Sequence, residues 1–320
     1  MNLSVIICCY NSENRIVPTL DYLAKQTLGT LSCEIILVDN NCSDSTVETA
    51  LKAWNSFGSP NELRIIKEIQ PGQSFARKSG VLEAKGEIIV FCDDDNWLCE
   101  NYLLNVFNLF KENSNIGILG GWSEPVFEIE KPKWFDEVCT SFACGGFTEE
   151  RLIETSFVWG AGMALKNELS IAIFKTNLTN KGRAGRILTS GDDSEICERA
   201  RILGFSIYKS NLLFFRHFMS KDRLTIDYLG RLYVGFGYSS AEKSFISYGK
   251  PTKYILIQIL RTIVFLSKNT VPLVNFVFDK GNVVSILGYY VLKGNWIFLR
   301  KKYILSIFNL WGKYSIYDKN

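Results

Sequence analysis

The chain has 320 residues, 47% of them hydrophobic and 22% charged, which suits one large domain or two with a sizeable core and excludes global disorder. Its net charge of +3 conceals an asymmetry: residues 250–320 hold 11 of the 36 Lys and Arg and 2 of the 33 Asp and Glu, so they carry +9 against −6 for residues 1–249. The basic tail interleaves its charges with bulky aliphatics, a pattern that suits an anionic lipid surface and not nucleic acid. The nine cysteines all lie between Cys8 and Cys197, show no zinc spacing, and in part sit inside apolar runs (Cys8, Cys9, Cys92). Reduced thiols in a cytoplasmic protein are expected. The N-terminus opens directly into a strand pattern, so no signal peptide is expected.

Leu3–Cys9 is an apolar, partly β-branched run and reads as a buried strand. The polar loop Tyr10–Asn14 follows it. Arg15–Gln26, with Ile16, Leu20 and Leu23 in register, predicts a helix. Glu34–Val38 is the next strand, closed by Asp39–Asp44, where Ser43 or Asp44 suits the cap of a helix through Val47, Leu51 and Trp54. Leu63–Ile69 is a third strand, and the βαβαβ order implies a parallel sheet with right-handed crossovers. In such a sheet the ends of the first two strands lie side by side. Tyr10 there suits stacking on a base, and Asp39 suits accepting from a base N–H or a sugar hydroxyl; Asp39 equally suits a turn cap. After the turn Pro71–Ser74, a helix over Ser74–Lys85 is expected, ended by Gly86 at C′. Arg77 and Lys78 sit in its first turns; Arg77 is a candidate diphosphate contact, and a solvated helix face fits the same charges.

Ile88–Phe91 predicts a short buried strand, and Asp93-Asp94-Asp95 follows where it should end. Adjacent carboxylates repel unless a cation or well-placed donors neutralise them. Oxygen ligands of this kind suit Mg²⁺ or Mn²⁺ carrying a nucleotide diphosphate, with Asp93 and Asp95 as the holders. A solvated acidic turn, or a cap for the following Leu103–Phe110 helix, fits the same residues.

Four stretches, Ser4–Glu13, Glu34–Asn40, Gly72–Gly80 and Phe91–Asp95, together resemble the nucleotide half of a family 2 glycosyltransferase of the GT-A fold. The resemblance implies an α/β architecture of the GT-A type, a mostly parallel sheet flanked by helices, to which the pattern of the last hundred residues adds an α-helical C-terminal extension. It also implies that Asp39 contacts the base or ribose, and that Asp93-Asp94-Asp95 is the DXD motif, with the metal reached through Asp95. Tyr10, Asn11, Glu13, Asp39, Arg77, Asp93 and Asp94 are then the candidate donor contacts. Cys9 departs from the small polar residue common there.

Ile116–Gly121 is a further strand. Residues 122–156 read as irregular, a binding loop or lid in which Trp134 is a candidate acceptor contact. Gly160 and Gly162 let the backbone approach a bound group, and Phe157–Leu165 resembles the family's donor-sugar and acceptor segment. Ser190–Glu195 precedes a helix with Ile196, Ala200 and Leu203 on one face, a Glu195–Arg199 pair, and Gly204 at its end. An Asp at this helix start suits a simple cap, but Gly191-Asp192-Asp193 resembles the family's Gly-Glu-Asp motif, which implies that Asp193 is the catalytic base; Asp192 replaces the usual Glu. Phe205–Phe215 predicts one or two strands. His217, the only histidine, follows; by itself it suits a structural residue, and the resemblance implies a metal ligand, with Asp95 and Asp93, or a diphosphate contact.

Lys221–Ser240 reads as a linking helix, with Arg223 and Arg231 facing the acceptor or water. From Pro251 the chain turns apolar and basic, with Lys253, Arg261 and Lys268 on one stripe; Gly281–Leu292 and Asn295–Leu310 repeat the theme. No uncharged run reaches the ~18–20 residues of a spanning helix, so helices lying in the membrane plane, or packed on protein, are expected. The expected division is a catalytic domain over 1–220 (nucleotide half 1–121, acceptor half 122–220) and a helical region over 221–320.

The activity that the resemblance implies is that of a metal-dependent, inverting hexosyltransferase using Mn²⁺ or Mg²⁺. It would move a sugar from a nucleotide diphosphate to a glycan or lipid-linked acceptor, at the inner face of the cell membrane. A non-catalytic sugar-nucleotide-binding subunit of a glycan assembly complex is the alternative. A dinucleotide dehydrogenase is disfavoured, because the loop after the first strand lacks G-x-G-x-x-G.

Overall fold

The structure is a computed structural model that describes residues 1–179, 182, 188–248, 257–264 and 287–300. Two compact units divide the chain: Met1–Ala184 with Gly191–Lys221, and Gly185–Ser190 with Asp222–Asn320.

The first unit starts with β1 (Leu3–Cys9), α1 (Ile16–Ala24), β2 (Cys33–Asp39), α2 (Thr46–Ser56), β3 (Glu62–Lys67), α3 (Gln73–Glu83) and β4 (Ile88–Asp93). It continues through β5 (Asn96–Leu98), α4 (Tyr102–Glu112), β6 (Ile116–Phe127), α5 (Phe135–Val138), β7 (Ile153–Thr155) and β8 (Ala164–Lys166). It closes with α6 (Asn167–Phe174), α7 (Asp192–Ile202) and β9 (Ser206–Met219). The strands form one sheet of nine in the order β3-β2-β1-β4-β8-β6-β9-β5, with β7 paired to β9. The pairs β3–β2, β2–β1 and β1–β4 are parallel, whereas β8 runs antiparallel to β4 and β6.

The continuous apolar run of β1 follows from burial on both faces. Leu3, Val5, Ile7 and Cys9 pack with Ile16, Leu20 and Leu23 of α1 and with Trp54 of α2. Ile6, on the other face, packs with Ala76 and Val81 of α3 and with Leu169 and Ile173 of α6. Each such buried aliphatic side chain contributes ~1.5–3 kcal/mol. α1 sits where its period places it, burying Ile16, Thr19, Leu20 and Leu23.

Three expectations are corrected. Gly86 is not a helix terminator: α3 ends at Glu83 and its C-cap residue, Ala84, is extended. Gly86 is small because a Cβ there would press on the Leu3 and Ser4 backbone at 2.5 Å. Residues 122–156 are not irregular throughout. β6 runs on to Phe127, since Trp122–Phe127 pair with Phe214–Met219, and α5, a 3₁₀ turn (Cys139–Phe142) and β7 follow. The β6–β9 register shifts between Gly120 and Trp122, where Gly121 lies against the Leu213 carbonyl too closely for any side chain. Finally, the acidic run is followed by β5 before α4 begins, whereas β9 is a single strand of 14 residues, within the one or two expected.

In the second unit a 3₁₀ turn (Lys221–Arg223) precedes α8 (Ile226–Tyr248), so the expected linking helix starts later and runs further. Arg231 pairs with Asp227 at 3.0 Å, and the Arg223 and Arg231 guanidinium groups flank the Tyr228 ring at 5.9 and 5.6 Å. Residues 257–264 and 287–300 are helical. The latter helix meets α8 closely: Gly230 faces the Tyr290 ring, Gly237 the Val291 carbonyl, and Gly294 the Val234 carbonyl. Among the described residues no helix is long and apolar enough to cross a membrane. Lys253, Lys268 and the rest of the expected basic–apolar helices lie outside the described residues.

Candidate active site

Parallel register brings the carboxyl ends of β2, β1 and β4 together, since Cys9 pairs with Asp39 and Cys8 with Asp93. Open α/β sheets bind ligands along such an edge. Tyr10 emerges there 59% exposed, so its ring face is available. Asn11 adopts φ 49°, and its side-chain oxygen accepts from the Ser43 amide at 2.9 Å. Glu13 accepts from the Ser45 amide at 2.9 Å, just before α2. Asp39 accepts from the Cys42 amide at 2.8 Å. Asn11 and Glu13 thus tie the loop after β1 to the loop after β2, and Asp39 folds the latter back on itself.

The three acidic residues of the motif point to three different partners. Asp93 accepts from Gln73 Nε2 at 3.1 Å and lies 3.7 Å from Arg77 Nη2. Asp94 turns inward: Arg15 Nε and Nη2 donate to its two oxygens at 2.9 and 2.8 Å, and Ser12 Oγ donates as well. Burial pushes the Asp94 carboxyl above its ordinary value, against the pull of Arg15. Asp95 accepts from Asn96 Nδ2 at 3.1 Å, and His217 Nε2 lies 3.3 Å from the same oxygen. β5 pairing with β9 sets that approach by placing Asn96 opposite His217. Asp95 and His217 therefore come together, whereas Asp93 is drawn towards Arg77. Among the described residues no three His, Cys, Asp or Glu side chains converge as a cation site.

Arg77 differs most from its expected place. It is 1% exposed, and its Nη1 donates to Asp192 Oδ2 at 2.9 Å and to Asp193 Oδ1 at 2.7 Å. Its guanidinium also lies 5.1 Å from the centre of the Phe91 ring. Burial works against its charge, but Asp193, Asp192 and Asp93 outweigh it and hold Arg77 protonated. Asp192 and Asp193 open α7 after Gly191, whose φ is 111°, and carboxylates are favoured at that positive helix end. Gly160 approaches this pair and not an open pocket, since a Cβ on it would overlap the Asp193 carboxylate and the Arg77 guanidinium. Gly162 faces Tyr102, whose hydroxyl donates to its carbonyl at 2.6 Å. Trp134 lies in an aromatic cluster, its ring 6.1 Å from Phe135 and 6.2 Å from Phe142.

Sequence reading missed Ser12, Arg15, Gln73 and Asn40. Asn40 is buried, donates to the Glu68 and Gln70 carbonyls, and accepts from the Gly72 amide, so it seats the start of α3 beside the site. One signal was there: Arg15 is the residue at the N-terminus of α1, where a cation opposes the helix dipole and needs an outside anion.

The model of the family described as "Glycosyl transferase family 2" matches residues 4–168, just over half the chain, and reaches from β1 into α6. The chain belongs to this family. Within the family it resembles the poly(ribitol-phosphate) beta-glucosyltransferase of Bacillus spizizenii, 33% identical over 121 residues, or 38% of this chain and 19% of that protein. It also resembles the glucosyl-dolichyl phosphate glucuronosyltransferase of Haloferax volcanii, 23% identical over 205 residues, or 62% of this chain and 63% of that one. The chain thus spans less than two thirds of either relative. Among solved structures, Staphylococcus aureus TarS 1-349 in complex with UDP superposes with a TM-score of 0.51 at 18% identity, covering 73% of this chain and 65% of that one. GalNAc-T7 with UDP, GalNAc and Mn²⁺ gives 0.54 at 13% identity, over 76% and 50%. These likenesses establish the family's GT-A fold for this chain.

Proposed function

We propose that this protein transfers a sugar from a nucleotide diphosphate to an acceptor hydroxyl, with inversion, in the assembly of a polysaccharide or glycolipid. The observation that carries this reading is the meeting of Asp93, Arg77, Asp192 and Asp193 beside the carboxyl ends of β1 and β4. Family membership and the sugar-transferring relatives support it. Tyr10 offers the base a stacking face, and Asp39 accepts from the base or ribose, within the loop that Asn11 and Glu13 shape.

Asp193 is the base. Arg77 holds its Oδ1, so in this reading Oδ2 takes the acceptor proton. The acceptor oxygen bonds to the anomeric carbon as that carbon's bond to the diphosphate breaks, and the diphosphate leaves with the electron pair. A positioned base contributes ~10²–10⁴-fold. Asp95 and His217 suit a cation that takes its remaining ligands from the diphosphate, because a carboxylate and an imidazole already lie 3.3 Å apart. Bound there, Mn²⁺ or Mg²⁺ would offset charge on the leaving group. We assign this chemistry to residues 1–220. Peripheral contact with the inner face of the cell membrane falls to residues 250–320, supported by their charge of +9.

The test is calorimetric titration of UDP, GDP and dTDP, each with and without Mn²⁺, into wild type and Asp95→Asn. Nucleotide release from the matching sugar nucleotide is followed alongside. One nucleotide should bind with metal dependence and about tenfold or more weaker in the variant, a loss of about 1.4 kcal/mol. Binding of none of the three under either condition overturns the proposal. Binding without any release favours the non-catalytic subunit.

A further inference from the structure

We infer that Arg77 is a positioning residue for Asp193 and not a donor contact, and that Gly160 completes its seat. This rests on the glycosyltransferase reading above. A guanidinium that is 1% exposed presents almost no surface to a diphosphate. Its surroundings also disfavour one, since Asp93, Asp192 and Asp193 already surround it. A cation so deeply buried is stable only when paired, and those carboxylates pair it.

What the arrangement does is mechanical. Asp192 and Asp193 are successive residues in the first turn of α7, so their side chains leave the helix about 100° apart. One nitrogen, Arg77 Nη1, bonds both, at 2.9 and 2.7 Å. Two attachments on one turn fix the rotation of α7 about its axis, and with it the direction of the free Asp193 oxygen. The rigid planar guanidinium suits this task, and a lysine ammonium on a flexible stem does not. Phe91, within β4, has its ring centre 5.1 Å from the guanidinium, and Gly160 lies so close to the pair that any side chain there would displace it. The shorter acid at Asp192 thereby acquires a role: it is the second anchor of the base.

Arg77→Lys and Gly160→Ala test the assignment. The probes are UDP with Mn²⁺ for binding and UDP-glucose or UDP-N-acetylglucosamine, with water as acceptor, for turnover. We expect the UDP dissociation constant to stay within about threefold while kcat for UDP release falls about 100-fold, a split that a general loss of structure would not produce. Amide exchange over residues 191–197, measured without ligand, should quicken in Arg77→Lys. Loss of UDP affinity in step with the rate would make Arg77 a donor contact and overturn the inference, as would unchanged exchange or full turnover in Gly160→Ala. If Arg77→Lys does not fold, Gly160→Ala carries the same test with the guanidinium intact. If wild type binds no nucleotide, the glycosyltransferase reading fails, while the exchange measurement still decides the positioning role.

Discussion

Replacing Arg15 by Leu asks whether Asp94 serves the fold or the ligand. Arg15 holds both Asp94 oxygens, and the side chains are 32% and 11% exposed. Removing one partner of a fully buried ion pair costs about 3–5 kcal/mol, because the other charge is left without compensation. A fully exposed pair is worth about 0–1 kcal/mol. Arg15 is open to water over a third of its side chain, so an intermediate cost of about 2 kcal/mol is expected. For a domain of this size that lowers Tm by about 4–8 °C. Asp94→Asn should cost less, since it leaves the partly exposed Arg15 as the unpaired member. The double variant should cost less than the sum, because neither charge is then stranded. Thermal unfolding of wild type, both single variants and the double variant gives the cycle, with UDP titration of each alongside. The reasoning is refuted if Asp94→Asn keeps its Tm and loses nucleotide affinity, for Asp94 would then be the donor contact that its place in the acidic run suggested.

Two further outcomes follow from the opposite edge of the sheet. Burial would raise the Glu34 carboxyl, but donors from Ser4, the Lys85 amide and Arg64 outweigh it and hold the group below its ordinary 4.5. A lowered folded value stabilises above the unfolded pKa and is lost as pH falls through the folded one. Tm of Glu34→Gln should therefore lie below wild type at pH 7 and converge on it below about pH 4; a constant gap would refute this. Gly86→Ala should destabilise by about 1–3 kcal/mol, the usual cost of overpacking, because its Cβ meets backbone that cannot swing away; urea unfolding with an unchanged midpoint would contradict it.

How much was legible depended on range. β1, β2 and β4 were visible because a strand buried on both faces must be apolar at every position, and α1 because its apolar residues recur at helical spacing. The extension of β6 to Phe127 was not visible, because Trp122–Phe127 become a strand only by pairing with Phe214–Met219, far along the chain. Gly86 carried a true signal with a misleading cause. The sequence placed a glycine between α3 and β4, and only the contact with Leu3 and Ser4 showed that the reason is close approach and not helix termination.

The same division runs through the site. Sequence alone determined that acids follow β4 and open α7, and that family resemblance gathers them into one region, because local pattern and motif order are properties of the chain itself. Tertiary structure alone decided their partners: Asp94 to Arg15, Asp95 beside His217, and Asp192 with Asp193 on a buried Arg77. The physical reason is that a carboxylate's character is set by the donors and cations within a few ångströms of it, and here those come from residues up to 100 or more positions away.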